Sequence, residues 1–241
     1  LEDVALQFER KEKYTVDDLL KIMEILRSPE GCPWDREQTH KSIRNNMIEE
    51  TYEAVEAIDN GNQALLKEEL GDVLFQVVFH AQLEKEKGSF DFSNVVDGVA
   101  KKMVERHPFV FGTSSVKNSS EALESWNKVK MRTKGCTTLE EVLKGVSPAL
   151  PALMRSQRLQ RKAAGAAGKT FSKDEKFSDL HEAVEQVEQL TETASEKEKL
   201  QKIGKLLFAV SALSESFGIE AEEALAQYCS GFVRNCGKAV K

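Results

Sequence analysis

The sequence predicts an all-α protein, and three observations carry that expectation. No segment alternates apolar and polar residues with the period of two that a half-buried strand needs. Only five prolines interrupt 241 residues. Helix-start signals stand ahead of long stretches whose apolar residues share one helical face. Thr15 with Asp18 three residues on is the first such signal, and Val16 to Leu26 follows with an apolar face. Pro29, Gly31 and Pro33 break helix, so residues 28–33 are expected to turn. Asp35 with Gln38 reads as a capping pair for a second helix that runs to about Ile58 and stops before Asn60 and Gly61. A third helix is expected from about Ala64 to Lys87, ended by Gly88, and a fourth from near Ser93 to just before Pro108.

Residues 113–120 are polar and Ser-rich and read as a linker, followed by a helix through Trp126. Residues 139–164 are expected to be helical with breaks at Pro148 and Pro151, and residues 165–176 to be a mobile loop by composition. Two more helices are expected over about 177–193 and 196–216, and a last one from about Glu220. An internal repeat links the two halves. Glu68 to Val77 aligns with Gln201 to Val210 at a constant offset of 133, with Gly71, Leu74, Phe75 and Val77 matched by Gly204, Leu207, Phe208 and Val210. Two related helical domains in tandem explain it: one over 1–115, a linker with a helix over 116–139, and a second domain over 140–241.

Composition narrows the function. A net charge of −6 argues against a nucleic-acid partner, which wants a basic face. The charge is uneven: residues 1–112 hold 14 Lys/Arg against 23 Asp/Glu, and the rest hold 20 against 17. No apolar run approaches the roughly 18 to 20 residues that span a membrane. The chain starts at Leu1, as a fragment of a longer protein would, with no charged-then-apolar leader. Cys32, Cys136, Cys229 and Cys236 form no C-x-x-C pair, so reduced thiols of a cytoplasmic protein are expected.

The acidic half carries the chemistry. Glu50 and Glu53 are spaced i, i+3 on the second predicted helix, and Glu69 and Asp72 likewise on the third. With Ile43, Met47, Ala54 and Ile58 on one stripe, Glu50 falls inside it and Glu53 on its edge; Glu69 and Asp72 flank the stripe of Leu66, Leu70, Val73 and Leu74. Phe75 and Phe79 lie opposite, so the third helix is apolar on two sides, as expected of one buried between a core and a subunit partner. Four converging carboxylates repel unless a cation joins them, and oxygen-only ligands favour Mg²⁺ or Mn²⁺. On the fourth helix Lys102 and Arg106 share a stripe with Val95, Val99 and Met103, two cations suited to a polyphosphate. Solvated helices also carry E-x-x-E by chance, and Lys102 and Arg106 could equally pair with acids across helices.

Gly31-Cys32-Pro33-Trp34-Asp35, then Gln38-Thr39-His40, Glu49-Glu50-Thr51-Tyr52-Glu53, Glu69-Leu70-Gly71-Asp72, and His107-Pro108 with Val110-Phe111 occur in that order. Together they resemble the MazG family of nucleoside triphosphate pyrophosphohydrolases. The resemblance implies an all-α fold, of four-helix-bundle type completed by a dimer, and a Mg²⁺-dependent hydrolysis of a nucleoside triphosphate to the monophosphate and diphosphate. It places metal ligands on Glu50, Glu53, Glu69 and Asp72 and phosphate contacts on Lys102 and Arg106. Glu49 matches the first acid of the motif; it or Glu53 would steer or deprotonate the attacking water. One metal would activate that water and a second offset the developing charge. Trp34 is expected either to stack on the base or to anchor a loop.

The second copy departs from the pattern. Lys202 and Lys205 stand where the repeat has Glu69 and Asp72, and the facing residues are either Glu185 and Glu188 or Gln186 and Gln189. Ammonium groups cannot ligate Mg²⁺, so this copy is expected to be silent. Two rival readings are weaker. A di-iron bundle needs two E-x-x-H motifs, and Glu37 with His40 supplies only one. A non-catalytic regulatory or scaffold protein would not need the intact acidic set of the first copy.

Overall fold

The computed structural model describes residues 8–134, 138–168 and 171–239; all of the regular elements among them are helices. The chain divides into two compact units, Leu1–Val129 and Lys130–Lys241. The first contains α1 (Val16–Arg27), α2 (Pro33–Glu37), α3 (Arg44–Asp59), α4 (Gln63–Glu86), α5 (Phe92–Arg106) and α6 (Pro108–Phe111). Helix α7 (Ser119–Lys134) crosses the division. Among the described residues no helix is long and apolar enough to cross a membrane.

Helix α1 starts where its caps dictate. The Asp18 N–H donates to Thr15 Oγ1 at 3.3 Å and the Thr15 N–H donates to Asp18 Oδ2 at 2.9 Å. Lys11 donates to the same carboxylate at 2.5 Å, and with the Thr15 bonds this holds Asp18 down to about 2. The turn after α1 then departs from expectation. Pro33 opens α2 instead of breaking it, because a first-turn proline has no N–H that the helix would use. Asp35 lies inside α2. Gln38 caps its end and donates from Nε2 to the Trp34 carbonyl at 2.8 Å while accepting from Ser42 Oγ at 2.8 Å. The pair therefore starts no long helix, and α3 begins at Arg44. Gly31 lets this loop fold onto α1: a Cβ there would overlap the carbonyl oxygens of Ile25 and Leu26.

The core of this unit is Met23, Ile43, Val78, Phe79 and Leu83, with Leu19, Leu20, Phe75 and Phe92 against it. Arg27 closes its edge. Its Nε and Nη2 bond the two oxygens of Glu86 at 2.7 Å each, its Nη1 donates to the carbonyls of Asp35 and Gln38, and its guanidinium lies 5.4 Å from the Phe79 ring centre. The Arg27 side chain is 7% exposed. Replacing it by Ala takes this donor from the carbonyls of Asp35 and Gln38 and frees the α2 loop. Arg27→Ala is expected to cost about 1–3 kcal/mol, read as a lower urea midpoint. Arg27→Lys should recover only part of that loss, because Lys lacks the two-pronged geometry.

Of the two apolar sides expected for α4, the Phe79 side is the one covered within the protomer. Leu70 and Leu74 are exposed, as are Tyr52, Val55 and Ile58 on α3 and Val95, Val96, Val99, Met103 and Val104 on α5. Helix α5 has no buried residue.

In the second unit α8 (Leu139–Lys144), α9 (Ala152–Ala167), α10 (Lys173–Glu188), α11 (Glu196–Ser216) and α12 (Ala221–Ala239) follow one another. Helix α10 packs along α11 as α3 packs along α4. The loop expected over 165–176 is shorter than its composition implied. Helix α9 continues through Gly165, and Ser172 and Glu175 form a capping box for α10; residues 169 and 170 lie outside the described residues. Gln157, fully buried, accepts from the Ala221 N–H at 2.8 Å and donates to the Ile219 carbonyl at 2.9 Å, which fixes the start of α12. Cys32, Cys229 and Cys236 are unbridged; Cys136 lies outside the described residues.

Candidate active site

Helices α3 and α4 are joined by a turn through Gly61 at φ 63°, a conformation that glycine adopts without strain. So short a connection folds the two helices back antiparallel. Glu50, one turn before Ala54, then faces Glu69 and Asp72 across the pair. One carboxylate oxygen from each of Glu50, Glu69 and Asp72 lies within 4.8 Å of the others. Glu69 is only 8% exposed, Glu50 is half-buried, and Asp72 opens to solvent. Glu53 is exposed at the margin of this trio, near enough to repel both Glu50 and Glu69.

Among the described residues no Lys or Arg is ion-paired with any of these four acids. The electrostatic result is direct. Loss of solvent, then repulsion from Asp72, Glu53 and Glu49, raises the Glu50 carboxyl above its ordinary range. Loss of solvent, then Glu53, Asp72, Glu68 and Glu50, raises Glu69 likewise. A buried carboxylate without a cation is costly. The donor set is hard oxygen only, with two half-open ligands, and so fits a divalent cation of the Mg²⁺ or Mn²⁺ type.

The remaining expected site residues are placed less closely. Glu49 is exposed on α3 beside Glu50, and Trp34 is exposed on α2. Lys102 is exposed on α5. The Arg106 guanidinium lies 5.1 Å from the Trp126 ring centre, and its buried Nε has no hydrogen-bond partner among the described residues. Trp126, on α7, is a neighbour that the reading of spacing along one helix could not supply.

A histidine pair joins the loop between α2 and α3 to α4. The His40 and His80 rings stack with centres 5.0 Å apart, their Nδ1 atoms 2.7 Å from each other; His40 Nε2 is 2.5 Å from Glu84 Oε1. His40 therefore ties the α2–α3 loop to α4. Lys87, Ser89 and His40 together hold Glu84 down to about 2. In the His40–His80 contact one Nδ1 donates and the other accepts. Burial and then His40 lower the affinity of His80 for a proton. A histidine whose folded pKa is depressed contributes stability that is present above its unfolded value of about 6.5 and lost as pH falls below it. His80→Gln is thus expected to flatten the decline in melting temperature between about pH 7 and pH 5, compared directly with the unaltered chain. His107 ends α5 and begins α6, with Nδ1 2.6 Å from the Met103 carbonyl.

In the second unit the two lysines that the sequence repeat aligns with Glu69 and Asp72 are ion-paired. Lys205 Nζ lies 2.7 Å from Glu182 Oε1, and Lys202 Nζ lies 3.0 Å from Glu198 Oε1. Among the described residues the Glu50, Glu69 and Asp72 trio is the one acidic group whose ligand atoms converge closely enough for a cation.

The profile of the MazG nucleotide pyrophosphohydrolase domain matches residues 38–111, which span α3, α4 and α5. The chain is 50% identical over 119 residues to the nucleoside triphosphate pyrophosphohydrolase/pyrophosphatase MazG of Thermotoga maritima, a stretch that is 49% of this chain and 45% of that protein. It is 44% identical over 137 residues to the nucleoside triphosphate pyrophosphohydrolase of Escherichia coli, covering 56% of this chain and 52% of that one. It is 40% identical over 119 residues to the protein of the same name in Mycolicibacterium smegmatis, covering 48% and 36%. The matched stretch is thus about half the length of the first two relatives, and less of the third.

Proposed function

We propose that this chain, which belongs to the MazG nucleotide pyrophosphohydrolase family through residues 38–111, hydrolyses nucleoside triphosphates to the monophosphate and diphosphate. The observation that carries the reading is the convergence of Glu50, Glu69 and Asp72 within 4.8 Å, with no Lys or Arg ion-paired to them among the described residues. Glu50, Glu53, Glu69 and Asp72 would hold Mg²⁺, with Mn²⁺ as a substitute. When bound, the cation offsets the charge of the α-phosphate and makes a nearby water more acidic.

The side chains then divide the work. Glu49 or Glu53, both exposed beside Glu50, orients the water and takes its proton. The water oxygen attacks the α-phosphorus, the bond from that phosphorus to the bridging oxygen breaks, and diphosphate leaves with the electron pair. Lys102 and Arg106 neutralise the leaving group. Trp34, exposed on α2, is free to stack on the base.

The exposed apolar faces of α3, α4 and α5 are too extensive for a lone protomer. A homodimer covers them, completes the bundle and brings α5 with its cations to the phosphates. Hydrolysis resides in residues 1–115, joined by 116–139 to a catalytically silent copy over 140–241, in a cytoplasmic enzyme. The test is a nucleotide panel with Mg²⁺, measuring monophosphate and diphosphate together. Equimolar release supports the reading; release of inorganic phosphate alone, or no metal-dependent hydrolysis of any triphosphate, rejects it.

A further inference from the structure

We propose that Gln76 is a positioning residue of the cation site, its side-chain carbonyl oxygen accepting a hydrogen bond from a water in the cation's hydration shell. The inference rests on the reading of the acidic trio as cation ligands. Gln76 is 5% exposed, and its Oε1 is sealed from solvent with no hydrogen-bond partner among the described residues. An unmet buried carbonyl costs about 1–3 kcal/mol, and native proteins rarely leave one so.

The position of Gln76 on α4 indicates what it awaits. It follows Asp72 by four residues and Glu69 by seven, so the three share one helical face. Side chains on a helix lean back over the preceding turn, which here is the turn of Asp72. His80, one turn further on, is already engaged with His40. Ionised carboxylates only accept hydrogen bonds, so they give Oε1 nothing. A water is the missing donor, since it can give one hydrogen to a carboxylate and the other to Gln76. Mg²⁺ keeps several of its waters when a few carboxylates bind it, and the four acids proposed to hold it still leave places for them. Partners of this outer kind typically change metal affinity by about 10–100-fold when removed.

The experiment is direct binding of Mn²⁺ alone to the full chain, read from the electron paramagnetic resonance of the free ion, with the metal-free melting temperature measured alongside. Gln76→Leu is expected to weaken Mn²⁺ binding by about tenfold or more with the melting temperature unchanged or raised. Gln76→Glu keeps an acceptor oxygen and should bind within about threefold of the unaltered chain or more tightly. If the Leu variant does not fold, Gln76→Met, which keeps the length of the side chain, replaces it. A folded Leu or Met variant within about twofold of the unaltered chain overturns the proposal, and so does equal weakening by Leu and Glu, which would mark Gln76 as a donor or a spacer. Failure of the unaltered chain to bind Mn²⁺ overturns the cation site itself, a result distinct from an unaltered affinity in the variants.

Discussion

Glu69→Gln is expected to lower diphosphate release on the order of a hundredfold or more, the several kcal/mol that a cation contributes at a reacting phosphate. The substitution keeps the shape of the side chain and removes the most buried charge of the trio. The same change should raise the stability of the metal-free protein. The carboxyls of Glu50 and Glu69 both lie above their ordinary range in the folded chain. Between that range and the raised values the folded state holds more protons than the unfolded one, so its stability falls as pH rises through the window. Removing one acid relieves the repulsion. Melting at pH 7 without metal should therefore be higher for the variant, and the gain should shrink as pH is lowered towards the ordinary carboxylate range. Added Mg²⁺ should stabilise the unaltered chain and have little effect on Glu69→Gln. Full retention of activity would remove the cluster from the chemistry. Loss of activity with a lower metal-free melting temperature would show damage to the fold instead.

Val99→Asp is the second change with a large expected effect. Val99 is exposed on α5, a helix with no buried residue, so a charge there leaves the lone protomer intact. In the proposed dimer the same charge would be buried and unpaired. A penalty of several kcal/mol raises the dimer dissociation constant on the order of a thousandfold. Sedimentation should report a dimer for the unaltered chain and a monomer for the variant. Hydrolysis should fall with the dimer while Mn²⁺ binding persists, because the trio is assembled by α3 and α4 of one protomer and Lys102 and Arg106 are joined to it by no ion pair among the described residues. A monomeric, fully active unaltered chain would sink the dimer and its role together.

The legible parts of this protein are those written within one helix or its ends. The cap of α1 is plain from Thr15 and Asp18 and the end of α4 from Gly88; of the two i, i+3 acid pairs, Glu50, Glu69 and Asp72 come within 4.8 Å of one another while Glu53 stands at their margin. Segments whose signals have two physical outcomes were misread. Pro33 both ends a helix and begins one, and Asp35 with Gln38 imitates a cap while serving a loop. Periodicity showed that α4 is apolar on two sides; which side the protomer covers depends on α1, whose Met23 completes the core with Phe79. Arg27 with Glu86, His40 with His80, and Arg106 with Trp126 were invisible for one reason. Each joins residues 20 to 59 positions apart, and nothing in the local pattern records such a pair.

The Lys205–Glu182 pair has an implication for how the proposed second copy of the motif would have diverged from the first. A site that needs an ion borrows positive charge from solution, and its stability follows the supply. The proposed second copy instead carries that charge on its own chain, at Lys205. Chelation should soften the first unit and leave the second indifferent. Reversal is also barred in single steps, since Lys205→Asp alone would set two naked acids against each other before any third ligand existed to recruit an ion.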